Sequence, residues 1–207
     1  MMEWIIRGGP MMVPILLCSV IAFAVFIERF IYVQSIKMNT RKFMGEISYS
    51  LKRNRADEAI EMCDKSPGPL PKVLKAGILK YDRTRQEVKE AIEDASLHEI
   101  PKLEKNIGVL ATIAQISPLL GFLGTAIGLV EIFQKIQVKA AALIPVTPAD
   151  ISGGIWQALI AMVAGLLIAI PTVTAYNYFV SRINYIIREM EISATDLVNI
   201  LSEKKAE

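Results

Sequence analysis

Three stretches of the sequence contain no Asp, Glu, Lys, Arg or His, and they constrain the fold more than any other feature. They cover residues 8–27, 106–130 and 151–181. An α-helix needs about 20 apolar residues to cross about 30 Å of hydrocarbon, so each stretch is long enough to span a bilayer. Buried helices of a soluble protein are the alternative, but such helices are amphipathic and rarely stay uncharged over this length. The sequence therefore predicts an all-α integral membrane protein with three transmembrane helices.

Composition agrees with a membrane protein that also has a large polar part. Hydrophobic residues make up 53% and charged residues 21% of the 207 residues, in separate blocks. A cleaved signal peptide is the alternative for the first stretch. However, Glu3 precedes it, a basic start is missing, and no small-residue cleavage site comes before Glu28. We therefore expect this stretch to remain in the protein as the first span.

Basic residues predict the orientation of the chain in the membrane. Most of the 23 Lys and Arg residues lie in residues 28–105 or after residue 181. Because cytoplasmic segments are enriched in Lys and Arg, we expect both of these parts in the cytoplasm. The expected segments are a periplasmic N-terminus at 1–10, transmembrane helices at 11–33, 106–134 and 151–181, a cytoplasmic helical domain at 34–105, a periplasmic loop at 135–150, and a cytoplasmic C-terminal helix at 182–207.

Local signals predict where two long helices begin. Residues 84–87 (TRQE) form a capping-box pattern, and the helix they open is expected to run through the second span as one long helix, straight or kinked, with Pro101 as the one breaker on the way. Residues 147–150 (TPAD) form a second start signal ahead of the third span. Apolar residues recur at three- and four-residue spacing over residues 183–201, so the third span should continue as an amphipathic helix.

Enzyme chemistry finds little support in the sequence. His98 is the one histidine and lies in a charged helix, where a solvated or packed role is expected. No phosphate-binding Gly loop, metal-ligand cluster or nucleophile motif is present, so we expect no catalytic residues, no cofactor and no metal. The net charge is only +2 and basic residues alternate with acidic ones, so we expect no nucleic-acid partner.

The second and third spans carry small and polar residues that a simple lipid anchor does not need. Gly124 and Gly128 form a GxxxG pair that lets helix backbones approach closely, although generic helix packing is the alternative reading. No ionisable group lies at mid-depth, and Glu28, Arg29 and Glu131 lie at span ends, where an interfacial role is expected. We expect several copies around a common interior, and any proton that crosses needs a titrating group from a partner.

Two segments carry a family resemblance. Ser117–Phe133 (SPLLGFLGTAIGLVEIF) and Asp150–Phe179 resemble the two signature segments of the MotA/TolQ/ExbB proton-channel family. The GGP at residues 8–10 and the ERF at residues 28–30 fit the same pattern. Three spans with a cytoplasmic block between the first two match the ExbB/TolQ branch.

The resemblance implies an inner-membrane stator that converts proton motive force into motion. Its implied form is a homo-pentamer around a dimer of an ExbD/TolR-like single-span protein, whose membrane Asp takes and releases protons. A TonB- or TolA-like protein would receive the energy, with TonB-dependent import as the leading role. The lipid bilayer is the remaining partner.

The resemblance also implies roles for particular residues. Thr125 matches the pore threonine, and Gln157 and Met162 occupy positions where many members have Glu and Thr. With Thr112 they form the expected proton path. The expected packing positions are Pro118, Gly121, Gly124, Gly128, Gly165, Pro171 and Tyr176.

Two other functions fit the same residues. One is a TolQ-like subunit for envelope integrity or a subunit of a gliding-motility motor. The other is a structural scaffold that oligomerises and stabilises a partner without conducting protons.

Overall fold

The computed structural model describes residues 8–203, and it contains seven helices and no strand within that range. The helices are α1 Met12–Ser35, α2 Thr40–Lys52, α3 Ala56–Lys65, α4 Pro69–Ile78, α5 Arg85–Glu104, α6 Ile107–Ala141 and α7 Pro148–Glu203. Three of the helical segments are long and apolar enough to cross a membrane: α1, the apolar part of the α5–α6 segment, and α7. The predicted all-α fold with three such helices is confirmed.

The chain divides into two compact units. The apolar unit consists of the residues up to Ile27 together with Asn106–Tyr178. The polar unit consists of Glu28–Lys105 and the residues from Phe179 onward. Each unit has its own core of buried apolar side chains.

The apolar unit is built on a close contact between α6 and α7. A Cβ placed on Gly128 would lie 3.0 Å from both the Ala158 Cβ and the Gly154 carbonyl oxygen. A Cβ on Gly165 would lie 2.5 Å from the Ser117 carbonyl oxygen. Small residues allow this close approach. The resulting van der Waals contacts favour helix association in a membrane, where the hydrophobic effect does not drive helices together. The two backbones therefore touch along most of the apolar unit.

The polar unit packs α2, α3, α4 and α5 with the C-terminal half of α7. Its fully buried side chains include Ile47, Leu74, Leu103, Phe179 and Leu197. The predicted continuation of the third span is confirmed, since α7 runs without interruption to Glu203 and buries an apolar stripe from Ile183 to Leu201.

Both predicted helix starts are confirmed. The Thr84 side chain accepts a hydrogen bond from the Glu87 N–H, and the Glu87 carboxylate accepts from the Thr84 N–H at 2.9 Å. At the start of α7, the Asp150 carboxylate accepts from the N–H and hydroxyl of Thr147 at 2.8 and 2.7 Å. These bonds satisfy groups that a helix start leaves open.

The predicted long helix from Thr84 through the second span extends over Arg85–Ala141, but it is divided into α5 and α6 at residues 105–106. The chain leaves the helix at Lys105, and Asn106 adopts a left-handed conformation with φ of 62° before α6 begins. Asn tolerates this conformation better than most residues. Pro101 does not break the helix but lies inside α5 on its exposed side, where water can reach the carbonyl freed by the missing N–H.

Candidate functional site

Thr125 lies at the contact between α6 and α7 in the apolar unit, and its side chain is half-buried. Its Oγ1 is 3.2 Å from the Gly121 carbonyl oxygen of its own helix and 3.2 Å from the Ala158 carbonyl oxygen of α7. A hydroxyl has one hydrogen to donate and two lone pairs that accept. Thr125 can therefore donate to either carbonyl and still accept a hydrogen bond from a third group.

Glycines bring α7 within reach of the Thr125 hydroxyl. A Cβ on Gly121 would lie 3.1 Å from the Ala161 carbonyl oxygen, and one on Gly124 would lie 2.5 Å from the Ala161 Cβ. Any larger side chain would push the two helices apart, because real Cβ atoms do not approach other carbons so closely. The Thr125–Ala158 hydrogen bond therefore depends on the glycines around it.

Gln157 and Met162 lie on α7 but on different sides of that helix. Five residues correspond to about 140° of rotation around a helix axis. Gln157 is half-buried, and a Cβ placed on Gly9 would lie 2.9 Å from its Cδ, so its side chain covers the turn that precedes α1. Met162 is 39% exposed. Gln157 precedes Ala158, whose carbonyl contacts Thr125, but its own side chain lies against Gly9, and Met162 is turned outward.

Thr112 is not part of the Thr125 contact. It lies on the exposed side of α6, where its hydroxyl donates to the Gly108 carbonyl oxygen at 2.8 Å. Thirteen residues separate Thr112 from Thr125, which is about 20 Å along a helix. The two hydroxyls are too far apart to share a proton or one water molecule.

The three remaining packing positions differ in their surroundings. Pro118 and Tyr176 are half-buried within α6 and α7. Pro171 is exposed and lines a cavity of about 300 Å³ with Phe23 and Leu110. Neither proline ends its helix.

Arg29 is buried within the polar unit, with only 3% of its surface exposed. Its guanidinium donates to the Glu28 carboxylate at 2.7 Å and to the carbonyl oxygens of Lys102 and Leu103 at 3.3 and 3.4 Å. It also lies over the Tyr32 ring at 5.0 Å. A cation at the carboxyl end of a helix satisfies open carbonyls and the negative end of the dipole. Arg29 thus fastens α1 to the last turn of α5.

Glu131 lies near the far end of α6 and lines an open cavity of about 410 Å³. The cavity also contains Lys139, whose ammonium donates to the Asp150 carboxylate at 2.6 Å. This ion pair connects the end of α6 to the start of α7. The interfacial role of Glu131 stays a prediction.

Ser117 is a polar residue of the second span that belongs neither to the predicted proton path nor to the predicted packing positions. It is fully buried, and its hydroxyl has no hydrogen-bond partner among the described residues. Its carbonyl oxygen lies against Gly165. The signal in the sequence is the Ser-Pro pair inside an apolar stretch, since a hydroxyl in hydrocarbon needs a partner.

Comparison with known proteins gives consistent matches. The model of the family described as "MotA/TolQ/ExbB proton channel family" matches residues 65–192. The chain is 28% identical over 192 residues to an ExbB homolog of Methanothermobacter thermautotrophicus, covering 92% of this chain and 67% of that protein. It is 34% identical over 144 residues to the Tol-Pal system protein TolQ of Pseudomonas aeruginosa, covering 64% and 60%. It is 26% identical over 220 residues to ExbB of Neisseria meningitidis, covering 95% of each.

Proposed function

The chain belongs to the MotA/TolQ/ExbB proton channel family, and we propose that it is the ring-forming stator subunit of an ExbB/TolQ-type motor driven by proton motive force. The observation that carries this proposal is the Thr125 hydroxyl at a glycine-lined helix contact, in spans two and three, which have no carboxylate or imidazole at mid-depth. Such a chain supplies hydroxyl and amide groups that can form hydrogen bonds, and the ionisable side chain that takes up and releases protons must come from a partner protein.

Exposed amides in the spans support assembly with further chains. Gln115 of α6 and Asn177 of α7 are exposed, and neither side chain makes a hydrogen bond within residues 8–203. A lipid-facing amide without partners is costly, so each of these groups needs another chain or a water-filled interior. We infer a homo-oligomer, a pentamer by family resemblance, in which the second and third spans surround a common interior.

The partner inside this interior is an ExbD/TolR-like single-span protein whose membrane Asp takes up and releases protons. Thr125 receives a hydrogen bond from the protonated Asp through its free lone pairs, and Gln157, the residue before Ala158, offers an amide on the same helix. Energy passes from this partner to a TonB- or TolA-like protein. Gln157 in place of the Glu of many members is consistent with a titrating group that lies on the partner alone.

The proposed location is the bacterial inner membrane, with the N-terminus in the periplasm and the C-terminus in the cytoplasm. The excess of basic residues in the polar unit supports this orientation. Energising TonB-dependent import is the leading role. Identity to a TolQ protein is the observation that favours the second candidate, an envelope-integrity role.

Co-purification with an ExbD/TolR-like single-span protein from the same organism tests the assembly. The account predicts one complex whose mass by native mass spectrometry corresponds to several copies of this chain around the partner. A monomer that never retains the partner contradicts the ring. Rescue of a strain that lacks either ExbB or TolQ separates the two roles.

A further inference from the structure

An open cleft of about 590 Å³ lies in the polar unit, between the segment that follows α1 and the part of α7 around Arg182. Lys37, Arg41 and Arg182 line this cleft, and Glu189 is the one carboxylate among its lining residues. The cleft therefore has an excess of positive charge. Such a cleft attracts an anion.

The three cations have no carboxylate partner within the described residues. Ion pairs in the polar unit involve other side chains, such as Lys72 with Glu99 and Lys75 with Asp64. The Nε of Arg182 is buried and makes no hydrogen bond in the described part of the chain. The Arg182 guanidinium lies over the Tyr185 ring at 5.2 Å, which holds its plane at the edge of the cleft.

Backbone donors at the start of α2 add to the cleft. Asn39 accepts a hydrogen bond from the Lys42 N–H at 3.2 Å through its side chain and from the Phe43 N–H at 3.0 Å through its carbonyl. The N–H groups of Thr40 and Arg41 have no acceptor among the described residues. Free N–H groups and the positive end of a helix dipole favour a phosphate oxygen.

The position of the cleft along the sequence indicates what this anion is. Arg182 directly follows the charge-free stretch 151–181, and Lys37 follows the end of α1 by two residues. In the orientation given under Proposed function, on which this step rests, these residues lie at the headgroup level of the inner leaflet. We propose that the cleft binds the headgroup of an anionic phospholipid, with its phosphodiester between the three cations.

The cleft takes the headgroup and leaves the acyl chains in the bilayer. The crevice that adjoins it between Ile36, Leu70 and Ile186 has a volume of only about 40 Å³, too small for a chain of many methylenes. Glu189 offers an acceptor to a headgroup hydroxyl. This combination fits phosphatidylglycerol, which carries one phosphodiester charge and free hydroxyls.

Native mass spectrometry of the full chain in detergent with added phosphatidylglycerol or phosphatidylcholine tests the proposal. The key variant is Lys37→Gln with Arg41→Gln, because both side chains are exposed and we expect the fold to tolerate their replacement. Its matched control is Lys52→Gln with Lys80→Gln, which removes the same charge at exposed positions outside the cleft. Arg182→Lys keeps the positive charge but removes the planar guanidinium, which can donate two parallel hydrogen bonds to a phosphate.

We expect phosphatidylglycerol to bind the wild-type chain and the control, and the affinity of the key variant to fall by about tenfold or more. Arg182→Lys should bind more weakly than wild type. Equal binding of phosphatidylcholine, equal loss in the control pair, or displacement by inorganic phosphate at similar concentrations would overturn the proposal, the last by identifying a free phosphate site. The assay measures lipid binding to the chain in detergent, without proton flux or a partner protein, so a loss of lipid binding and a loss of motor function are distinguished.

Discussion

The hydroxyl of Thr125 on α6 lies 3.2 Å from the carbonyl oxygen of Ala158 on α7, across a contact lined by glycine and alanine. This hydrogen bond joins the two helices whose segments match the family signatures. The hydroxyl keeps two lone pairs for a group that approaches from outside the chain. The Thr125 hydroxyl can therefore hold the two helices together and still accept a hydrogen bond from a proton-carrying group of another chain.

Replacing Thr125 by Val keeps the shape of the side chain and removes its hydroxyl. Because a lost hydrogen bond costs only about 0.5–1.5 kcal/mol, we expect the complex to assemble while proton flux falls by about tenfold or more. Thr125→Ser should retain flux. The measurement is dye-reported proton uptake by liposomes that contain the complex with its partner.

Thr112→Val is the matched control for Thr125→Val, since it removes a hydroxyl that bonds only within its own helix. We expect its flux to equal that of the wild type. Equal losses in both variants would show that the position of the hydroxyl is irrelevant.

Enlarging the glycines of the α6–α7 contact should destabilise the protein. Gly128→Ala places a methyl group 3.0 Å from Ala158 and Gly154, and we expect a loss of about 1–3 kcal/mol from overpacking. Gly153→Ala is the control, because no atom lies within 4 Å of its added methyl. That change should be neutral or stabilising by up to about 1 kcal/mol through helix propensity. Unfolding in detergent measures both, and similar losses would refute the tight contact.

Removing the Arg29 guanidinium should loosen the end of α5. In Arg29→Gln the carbonyls of Lys102 and Leu103 lose their donor in a buried place, with an expected cost of about 2–3 kcal/mol. Hydrogen exchange of the last turn of α5 should accelerate. Arg53→Gln serves as the control, because Arg53 is exposed and only stacks on Tyr49. Unchanged exchange in Arg29→Gln would contradict the capping role.

Glu99 should make the stability of the polar unit depend on pH. Burial opposes ionisation of its carboxyl, yet hydrogen bonds from Lys102 and Lys72 outweigh burial and lower its pKa. A pKa that is lower in the folded than in the unfolded state stabilises the fold above the unfolded value, about 4.3, and this contribution disappears as pH falls through the folded value. The melting temperature should therefore begin to fall as the pH drops below the unfolded pKa of about 4.3, and it should continue to fall until the pH is below the lowered pKa of the folded state.

Glu99→Gln should lower the melting temperature at pH 7 and flatten its decline toward acid pH. Glu93→Gln, an exposed change on the same helix, should leave the profile as in the wild type. A Glu99→Gln profile that matches wild type at every pH would contradict the role of the Lys72–Glu99–Lys102 cluster.

Local chemistry predicted much of the fold. The starts of α5 and α7 depend on side chains within four residues of each other, so TRQE and TPAD contain the whole signal. The spans depend only on the lack of charge along the chain. The break at Asn106 could not be found this way, because the end of α5 is held by Arg29, which is 73 residues from Lys102 in sequence.

The candidate site was partly predictable for a similar reason. Thr125 and its glycines stand out as a motif, because polar and small residues are unusual in an apolar span. The partner of Thr125 is a backbone carbonyl on another helix, and no side chain in the sequence marks it. Ser117 and Arg29 are buried because their side of the helix packs against a neighbouring helix. The spacing of apolar residues along the sequence does not show which side of a helix packs in this way when the residue itself is polar.

Proton flux through liposomes that contain the complete complex tests the central claim most directly. Three preparations are compared under the same proton gradient: this chain with the proposed ExbD/TolR-like partner, the same complex with the partner's membrane Asp replaced by Asn, and this chain alone. The account predicts flux only in the first. Rapid flux through this chain alone, or unchanged flux after the Asp is replaced, would contradict it.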